Sequence, residues 1–448
     1  MGLRIRILLL QLLLGSVLSF AGNDRQAWFD ETQPLPSIPH GQGLAAPFAG
    51  VSDDALILAG GSWFEPGAVK RSYGDFIYVF RQTTDGRIWQ PAGMLPAPVA
   101  YGASVTIPEG VLCLGGEYDD EPTDKVFLMS MGVDGVVIED GFPPLPAPAT
   151  KLSAAAIGRN VYVVAGDRFW CLDLVKRLWQ VLPKPPFESR LGAMMLSQSN
   201  GVNQCLYFIG GKGGRYHKDA WRYDPSMPED RRWEELPDAP YPMSFCPALA
   251  YGTSELFLFS GSTGDDVHDG VFNFPSGIIS FNTITNTWCE VGKMKTGVVN
   301  APAILLDGGI IIPGGETRPR ERTAGVTSFS IHAQSGTSFN LWDYFALFAY
   351  LLLIVALSVG FSRKTRSTKD FFLGGQKIPF WAAGLSLMAA QVSSIGFMSI
   401  PAKSFVTNWS YFAGVLTWFI VVPIVIKVFI IWIKLAYLRI YLQVLNPI

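Results

Sequence analysis

Short apolar stretches that end in two small residues recur along the first three quarters of the chain. The six pairs, such as Gly60–Gly61 after LILA and Gly314–Gly315 after IIIP, lie 45 to 55 residues apart. Glycine at the end of a buried strand is typical of a place where another backbone approaches closely. The pattern therefore predicts a unit of short strands that is repeated six times. The remaining pairs are Gly115–Gly116, Ala165–Gly166, Gly210–Gly211 and Ser260–Gly261.

A period near 50 residues with paired glycines is typical of the kelch repeat, in which each repeat forms one blade of a β-propeller. A tryptophan follows at the expected outer strand of four repeats, as Trp89, Trp179, Trp233 and Trp288. The sequence therefore predicts an all-β, six-bladed kelch β-propeller over residues 22–333.

The last repeat also predicts how the propeller closes. Residues 298–331 have room for three strands, whereas AWFDETQPLP near the N-terminus has the form of an outer strand. We predict that residues 27–33 supply the fourth strand of the last blade. This closure would remove the exposed strand edges of the ring.

The N-terminal residues 1–21 have the pattern of a secretory signal peptide. Arg4 and Arg6 precede an apolar run, and the small residues Ser19 and Ala21 lie at −3 and −1 to a cut after Ala21. The alternative is an uncleaved membrane anchor.

The chain changes character after a linker at residues 334–340. Residues 341–448 contain three long apolar runs, and a bilayer core requires about 17–25 such residues. We predict a membrane region with helices at about 342–361, 380–402 and 406–433. Buried core helices are the alternative.

Positive charges predict the orientation of this membrane region. Basic residues lie between the first two predicted helices and again after the third, and positive loops remain in the cytoplasm. The propeller is therefore predicted to lie in the periplasm, with the chain held in the inner membrane. The basic residues are Arg363, Lys364, Arg366, Lys369, Lys377, Lys434 and Arg439.

Composition excludes some classes of protein. The 448 residues carry 35 Lys and Arg against 37 Asp and Glu, which gives no global charge for binding nucleic acid. With 49% hydrophobic and 16% charged residues, the chain is not disordered. The five cysteines form no C-x-x-C pair, so we predict no metal in the propeller and small buried thiols in strands. They are Cys113, Cys171, Cys205, Cys246 and Cys289.

The segment GGETRPRERT contains the most suggestive polar residues. Glu316 directly follows the last glycine pair, and Arg318, Arg320 and Arg322 come within six residues. A carboxylate beside guanidinium groups can bind an anion and still act as a base. The alternative is a surface loop with ordinary ion pairs.

Other polar residues are secondary candidates for binding a substrate. Arg190 begins one repeat, Arg215 and His217 follow the fourth small pair, and Arg71 and Tyr101 lie near the first and second pairs. For each of them, a structural ion pair or a packed ring is the alternative.

Four segments resemble a known enzyme family. Residues 48–61, 70–80, 100–117 and 314–323 are similar to the N-acetylneuraminate epimerases, which are sialic acid mutarotases. The segments occur in a cyclically permuted order, and the resemblance covers roughly residues 40–333. It implies an isomerase that interconverts the anomers of N-acetylneuraminate without a metal or organic cofactor.

The same resemblance implies that Glu316 and Arg322 are the catalytic pair. Mutarotation opens a cyclic hemiketal and closes it again on the other face, and one carboxyl group can move the proton. A guanidinium can hold the carboxylate of the sugar through two hydrogen bonds.

The segment DFFLGGQKIPFWAAGLSLMAAQVSSIGFMSIPA resembles the start of the sodium:solute symporters. The resemblance implies that the carbonyls of Ala389 and Val392 form half of a Na⁺ site and that Gln391 faces the substrate. Packing between helices is the alternative. Because the sequence ends at Ile448 after three predicted helices, we expect either a fragment or a tethered mutarotase, and Na⁺ would bind only to a complete symporter.

Two hypotheses follow from these observations. In the first, a periplasmic sialic acid mutarotase is fused to the start of a symporter for sialic acid uptake. In the second, a non-catalytic kelch module binds a ligand or partner for the transporter. The motif around Glu316 and Arg322 favours the first hypothesis.

Overall fold

Six four-stranded antiparallel sheets form the first part of the molecule in a computed structural model of the chain. The structure describes residues 29–31, 35–83, 86–268, 271–331, 341–364, 379, 381–382, 384–386 and 410–445. The chain divides into two compact units, Met1–Ser335 and Gly336–Ile448. The predicted signal peptide and linker lie outside the described residues, as do Ala389, Gln391 and Val392.

Each sheet is one blade of a six-bladed β-propeller, as predicted. In every blade the first three strands lie side by side in the order in which they occur in the sequence. Blade 1 contains Phe48–Ser52, Ala55–Ala59, Phe76–Thr83 and Gly86–Met94; blade 2 contains Ala103–Ile107, Gly110–Leu114, Val126–Met131 and Val136–Glu139; blade 3 contains Ser153–Ile157, Asn160–Ala165, Arg168–Asp173 and Leu178–Leu182. Blade 4 contains Met194–Ser199, Gln204–Ile209, Ala220–Tyr223 and Trp233–Leu236; blade 5 contains Ala248–Tyr251, Glu255–Phe259, Gly277–Asn282 and Thr287–Lys293; blade 6 contains Ile304–Leu306, Gly309–Pro313, Val326–Ile331 and Phe29–Glu31.

Short two-stranded ribbons project from four blades, between the second and third strands. They pair Ser62–Trp63 with Ser72–Tyr73, Glu117–Tyr118 with Glu121–Pro122, Val267–His268 with Val271–Phe272, and Glu316–Arg318 with Glu321–Arg322. A single turn of 3₁₀ helix, Glu229–Arg231, precedes the outer strand of blade 4.

The N-terminal strand closes the ring as predicted. Phe29–Glu31 pairs antiparallel with Val326–Ile331, so that the first described strand and the last lie in the same sheet. The Phe29 ring is buried and meets the rings of Phe257 at 4.8 Å and Phe329 at 5.9 Å between centroids. The closing strand is therefore held by side-chain packing as well as by the backbone.

The hydrophobic core lies between neighbouring blades. The second strands of blades 1 and 2, Ala55–Ala59 and Gly110–Leu114, are buried at every position. This burial explains their continuous apolar sequence, because both faces of the strand are covered. The outer strand Val136–Glu139 alternates between half-buried and exposed positions, as expected at the rim.

The glycine pairs are required by close contacts between blades. Gly60 has φ +65°, and a Cβ atom there would lie 2.4 Å from the carbonyl oxygen of Val99. Gly210 has φ +62°, and a Cβ atom on it would lie 2.3 Å from the carbonyl oxygen of Met243. The structure thus confirms that the pairs mark places where another backbone approaches.

Three of the four outer-strand tryptophans bind the proline-rich links. The indole Nε1–H of Trp89 donates to the carbonyl of Pro36 at 2.9 Å. Trp179 and Trp288 make the same bond to Pro143 and Pro237, at 3.0 Å and 2.8 Å. These tryptophans therefore tie the rims of blades 1, 3 and 5 to the links that lead into them.

The cysteine prediction is partly wrong. All five thiols are free, and Cys113, Cys171 and Cys205 are buried in strands. Cys246 is buried just before a strand, whereas Cys289 is exposed on the outer strand of blade 5. Cys289 is exposed because alternate side chains of an outer strand face solvent.

The second unit contains two described α-helices, α1 (Leu341–Lys364) and α2 (Ser410–Leu445). The prediction of three transmembrane helices is corrected here. Within the described residues one helix is long and apolar enough to cross a membrane, at Val421–Leu438, and Tyr344–Gly360 is a shorter apolar stretch. Most of the predicted helix at 380–402 lies outside the part of the chain that the structure describes.

The bounds of the third predicted helix are also wrong. Helix α2 has 36 residues and ends at Leu445, so Lys434 and Arg439 lie within it and do not form a loop. Pro423 lies inside the helix. At about 1.5 Å per residue, α2 is longer than the bilayer core of about 30 Å.

Candidate functional site

A closed ring of backbone hydrogen bonds surrounds the propeller axis at one end of the inner strands. Each residue of this hydrogen-bond ring has φ between 51° and 63° and donates its N–H to the carbonyl of its counterpart in the preceding blade, at 2.6–3.1 Å. All six line a cavity of about 280 Å³ that continues between the inner strands. The ring therefore brings one residue from every blade to the channel. Its members are Ala46, Tyr101, Lys151, Gly192, Phe245 and Asn300.

The ribbon of blade 6 brings the predicted pair together. Glu316 and Arg322 are directly opposite each other in this ribbon, which explains their spacing of six residues. Glu316 Oε2 lies 2.7 Å from Arg322 Nη1, and their side chains are 14% and 3% exposed. Asn300 Nδ2 donates to Glu316 Oε2 at 3.2 Å, and the backbone N–H of Arg320 donates to Oε1 at 2.9 Å. The carboxylate is therefore held from three directions.

The guanidinium of Arg322 retains unused donors. Its Nη2 donates to the hydroxyl of Tyr101 at 3.2 Å, and the Phe64 ring lies 5.1 Å from its central carbon. Nε is buried without an acceptor, and Nη1 approaches Glu316 without the angle of a hydrogen bond. Buried polar groups in proteins are normally hydrogen-bonded. Arg322 therefore keeps donor capacity that its neighbours in the structure do not use.

Tyr101 connects this pair to a second charged group. Its hydroxyl accepts from Ser62 Oγ at 3.3 Å, in addition to Arg322. Its ring faces two cations, with Arg71 Cζ at 4.9 Å and Lys151 Nζ at 5.1 Å from the centroid. Cations over the face of an aromatic ring are attracted to its electrons.

Glu117 is the centre of that second group. It follows Gly115–Gly116 just as Glu316 follows Gly314–Gly315, and its side chain is 2% exposed. The carboxylate pairs with Arg71 at 2.9 Å and Lys151 at 2.8 Å, and it accepts from Thr150 Oγ1 at 2.7 Å. Sequence analysis missed Glu117, although its position after a glycine pair was the available signal.

The structure brings the secondary candidate Arg71 into this network. Arg71 pairs with Asp120 as well as Glu117. Burial lowers the pKa of Arg71, but Tyr101 and Glu117 outweigh burial and the net pKa is raised. Burial also raises the pKa of the neighbouring Tyr73 phenol. Arg71 therefore stays charged and Tyr73 stays protonated at neutral pH.

The secondary candidates Arg190 and Arg215 lie outside the network. Arg190 is buried and makes two bonds to Asp219, at 2.5 Å and 2.9 Å. It lies two residues before Gly192 of the ring, where other blades place buried apolar residues such as Leu44 and Val99. Arg190 therefore fits the structural alternative. The side chain of Arg215 is 73% exposed, and its Nη2 lies 3.6 Å from Glu188 Oε1.

His217 is buried beside the Arg190 pair and supports a prediction about stability. Burial, followed by the charge of Arg190, lowers its pKa below the ordinary 6.5. Below about pH 6.5 the unfolded chain binds more protons than the folded one, so stability falls as the pH decreases from 7 to 5. We expect His217→Gln to reduce this loss, measured by urea unfolding across that range. His40→Gln should also reduce this loss, because burial lowers the pKa of His40. If the free energy of unfolding depends on pH in both variants as it does in the wild type, the prediction is contradicted.

The described residues contain no group of three or more His, Cys, Asp or Glu side chains placed to hold a metal ion. The polar groups around Tyr101 are instead two carboxylates, two guanidiniums and an ammonium, and Tyr101 and Lys151 line the cavity. Such a set can bind an anionic sugar and exchange protons with it.

Fold and site together define a six-bladed propeller with a network of paired charged residues around Tyr101. No protein-family model matches the chain. Among solved structures it is similar to the structure of YjhT, with a TM-score of 0.53 and 13% identity over 66% of this chain and 97% of that one. This similarity shows the fold alone.

Curated relatives are similar to parts of the chain. It is 47% identical over 88 residues to the sodium/sialic acid symporter NanT of Aliivibrio fischeri, covering 20% of this chain and 17% of the symporter. It is 32% identical over 121 residues to the N-acetylneuraminate epimerase of Brucella suis, covering 24% of this chain and 30% of the epimerase. The chain thus spans less than a third of either relative and has homologues in two groups named for sialic acid.

Proposed function

We propose that the propeller is a mutarotase that interconverts the anomers of N-acetylneuraminate. The observation that carries this proposal is the Glu316–Arg322 pair, in which a base lies 2.7 Å from a buried guanidinium with unused donors. Partial similarity to relatives named N-acetylneuraminate epimerase supports the choice of sugar. The cyclically permuted order of the matching segments is part of the proposal.

Arg322 has the chemistry to bind the carboxylate of the sugar. A guanidinium–carboxylate contact is charge-assisted and directional, so it would fix the orientation of the ring. Glu316 then lies beside the bound sugar and within reach of its anomeric centre. Its carboxylate can accept the proton of the anomeric hydroxyl when the ring opens, and return a proton when it closes on the other face.

The membrane unit gives this activity a proposed location. Similarity to sodium/sialic acid symporters and the apolar stretch Val421–Leu438 support a chain held in the inner membrane with its propeller in the periplasm. A tethered catalyst would raise the concentration of the preferred anomer beside a transporter. The proposed Na⁺ and substrate positions Ala389, Val392 and Gln391 would act only in a complete symporter.

The proposal is tested with the full chain in detergent. Freshly dissolved N-acetylneuraminate is followed by proton NMR at a pH where spontaneous exchange of the anomers is slow. We expect the protein to accelerate equilibration of this sugar but not of a neutral aldose such as glucose, which lacks a carboxylate for Arg322. Equilibration at the spontaneous rate would contradict the mutarotase, and sugar binding without acceleration would favour the non-catalytic binding module.

A further inference from the structure

We infer that Tyr101 is a second proton-transfer residue, acting beside Glu316; this inference rests on the proposed mutarotase function. Opening a cyclic hemiketal moves two protons, one from the anomeric hydroxyl and one to the ring oxygen. Both oxygens are bonded to the same carbon. Two catalytic groups that serve them must therefore lie side by side.

Arg322 holds two such groups next to each other. Its Nη1 lies 2.7 Å from Glu316 Oε2, and its Nη2 donates to the Tyr101 hydroxyl at 3.2 Å. Because a guanidinium is planar and rigid, its two terminal nitrogens fix a carboxylate and a phenol as neighbours. Glu316 and Arg322 come from the ribbon of blade 6, whereas Tyr101 is the member of the hydrogen-bond ring that precedes blade 2. Arg322 and Tyr101 are 221 residues apart in the sequence.

The Tyr101 hydroxyl keeps its own proton for donation. A phenol oxygen has one O–H donor and acceptor lone pairs. Here the oxygen accepts from Arg322 Nη2 at 3.2 Å and from Ser62 Oγ at 3.3 Å. With these two donors in place, the O–H must point away from both. Tyr101 is also one of the residues that line the channel cavity, so a sugar can reach it from there.

The surroundings of Tyr101 stabilise the phenolate that donation would leave. Arg322 and Ser62 donate directly to the oxygen, and Arg71 and Lys151 lie over the ring. Donors and cations that are already in place stabilise negative charge that develops in a transition state. This arrangement distinguishes Tyr101 from an ordinary packed tyrosine, whose ring would contact apolar side chains.

The step balances without any further reactant. Glu316 removes the proton of the anomeric hydroxyl, the bond between the anomeric carbon and the ring oxygen breaks, and the carbon becomes a ketone. Tyr101 gives its proton to the departing ring oxygen. After rotation of the open chain, the phenolate takes that proton back as the oxygen attacks the other face, and Glu316 returns its proton to the ketone oxygen.

The test compares Tyr101→Phe with wild type in the full chain by the same NMR assay. We expect kcat to fall by about 100-fold or more. KM should change little, because the lost interaction belongs to the transition state. Tyr162→Phe is the matched control, since Tyr162 and Tyr101 are both 6% exposed and Tyr162 lies in blade 3.

The outcomes separate the two proposals. Wild-type kcat in Tyr101→Phe would overturn this inference and leave the mutarotase intact, whereas an inactive wild type would overturn both. If Tyr101→Phe does not fold, Ser62→Ala tests the role of the Tyr101 hydroxyl instead, because it removes one of the two donors to that oxygen. Loss of the Ser62 donor should lower kcat with little change in KM; wild-type kcat in this variant would overturn the inference.

Discussion

Replacing Glu316 by glutamine is expected to slow mutarotation by about 10²–10⁴-fold, the usual contribution of a positioned acid–base group. Glutamine has nearly the same shape and can still meet Arg322, but it cannot accept a proton. Binding of the sugar should therefore persist. The measurement is anomer exchange by NMR for rate, with calorimetry for affinity.

Glu321→Gln is the matched control for Glu316→Gln. Glu321 belongs to the same ribbon, but its side chain is 60% exposed and its nearest cation is Arg318 at 3.9 Å. We expect near wild-type rates, because a weak exposed ion pair contributes little. A Glu316→Gln variant with full activity would exclude Glu316 as the base, and equal losses in both variants would point to damage of the whole ribbon.

Truncating Phe29 to alanine is expected to lower the free energy of unfolding of the propeller by about 3–5 kcal/mol, the usual cost of a buried Phe→Ala change. Phe29 fills the space between the rings of Phe257, Phe259 and Phe329, so its loss leaves a cavity at the closure of the ring. Deleting residues 22–36 should have a larger effect, because the partner strand Val326–Ile331 would also lose its backbone bonds.

Thermal and urea unfolding measure this effect, with Val181→Ala as the control. Val181 also lies in an outer strand but is 70% exposed, so its truncation should change stability by no more than about 0.5 kcal/mol. An unchanged melting temperature after removal of residues 22–36 would show that the ring does not depend on this strand.

The fold could be predicted from local signals. The glycine pairs mark contacts between blades that recur at one period, and the missing strand of the last repeat pointed to the N-terminus. The sequence could not separate residues that face the channel from residues that pack between blades. Arg190 and Arg71 look alike in sequence, but Arg190 is buried against Asp219 of its own blade whereas Arg71 lies over the Tyr101 ring.

The candidate site could be predicted only where its residues lie close together in the sequence. Glu316 and Arg322 belong to one ribbon, so a single short segment contains both residues of the pair that the family resemblance implied. Tyr101 and Glu117 join them through closure of the ring, which no short window of sequence contains. Three membrane helices were predicted because apolar runs were counted by composition, whereas the described helices have other lengths and ends.

The hydrogen-bond ring has a consequence for the whole propeller. Six residues, one per blade, are joined head to tail in a circle, so no member is an end and each is held by both of its neighbours. Displacing one member therefore strains its hydrogen bond to the next. Gly192 illustrates this, because a Cβ atom there would lie 2.3 Å from the Phe245 ring. A side chain at this remote position would disturb the circle on which Tyr101, Lys151 and Asn300 are mounted, and so would alter chemistry several blades away.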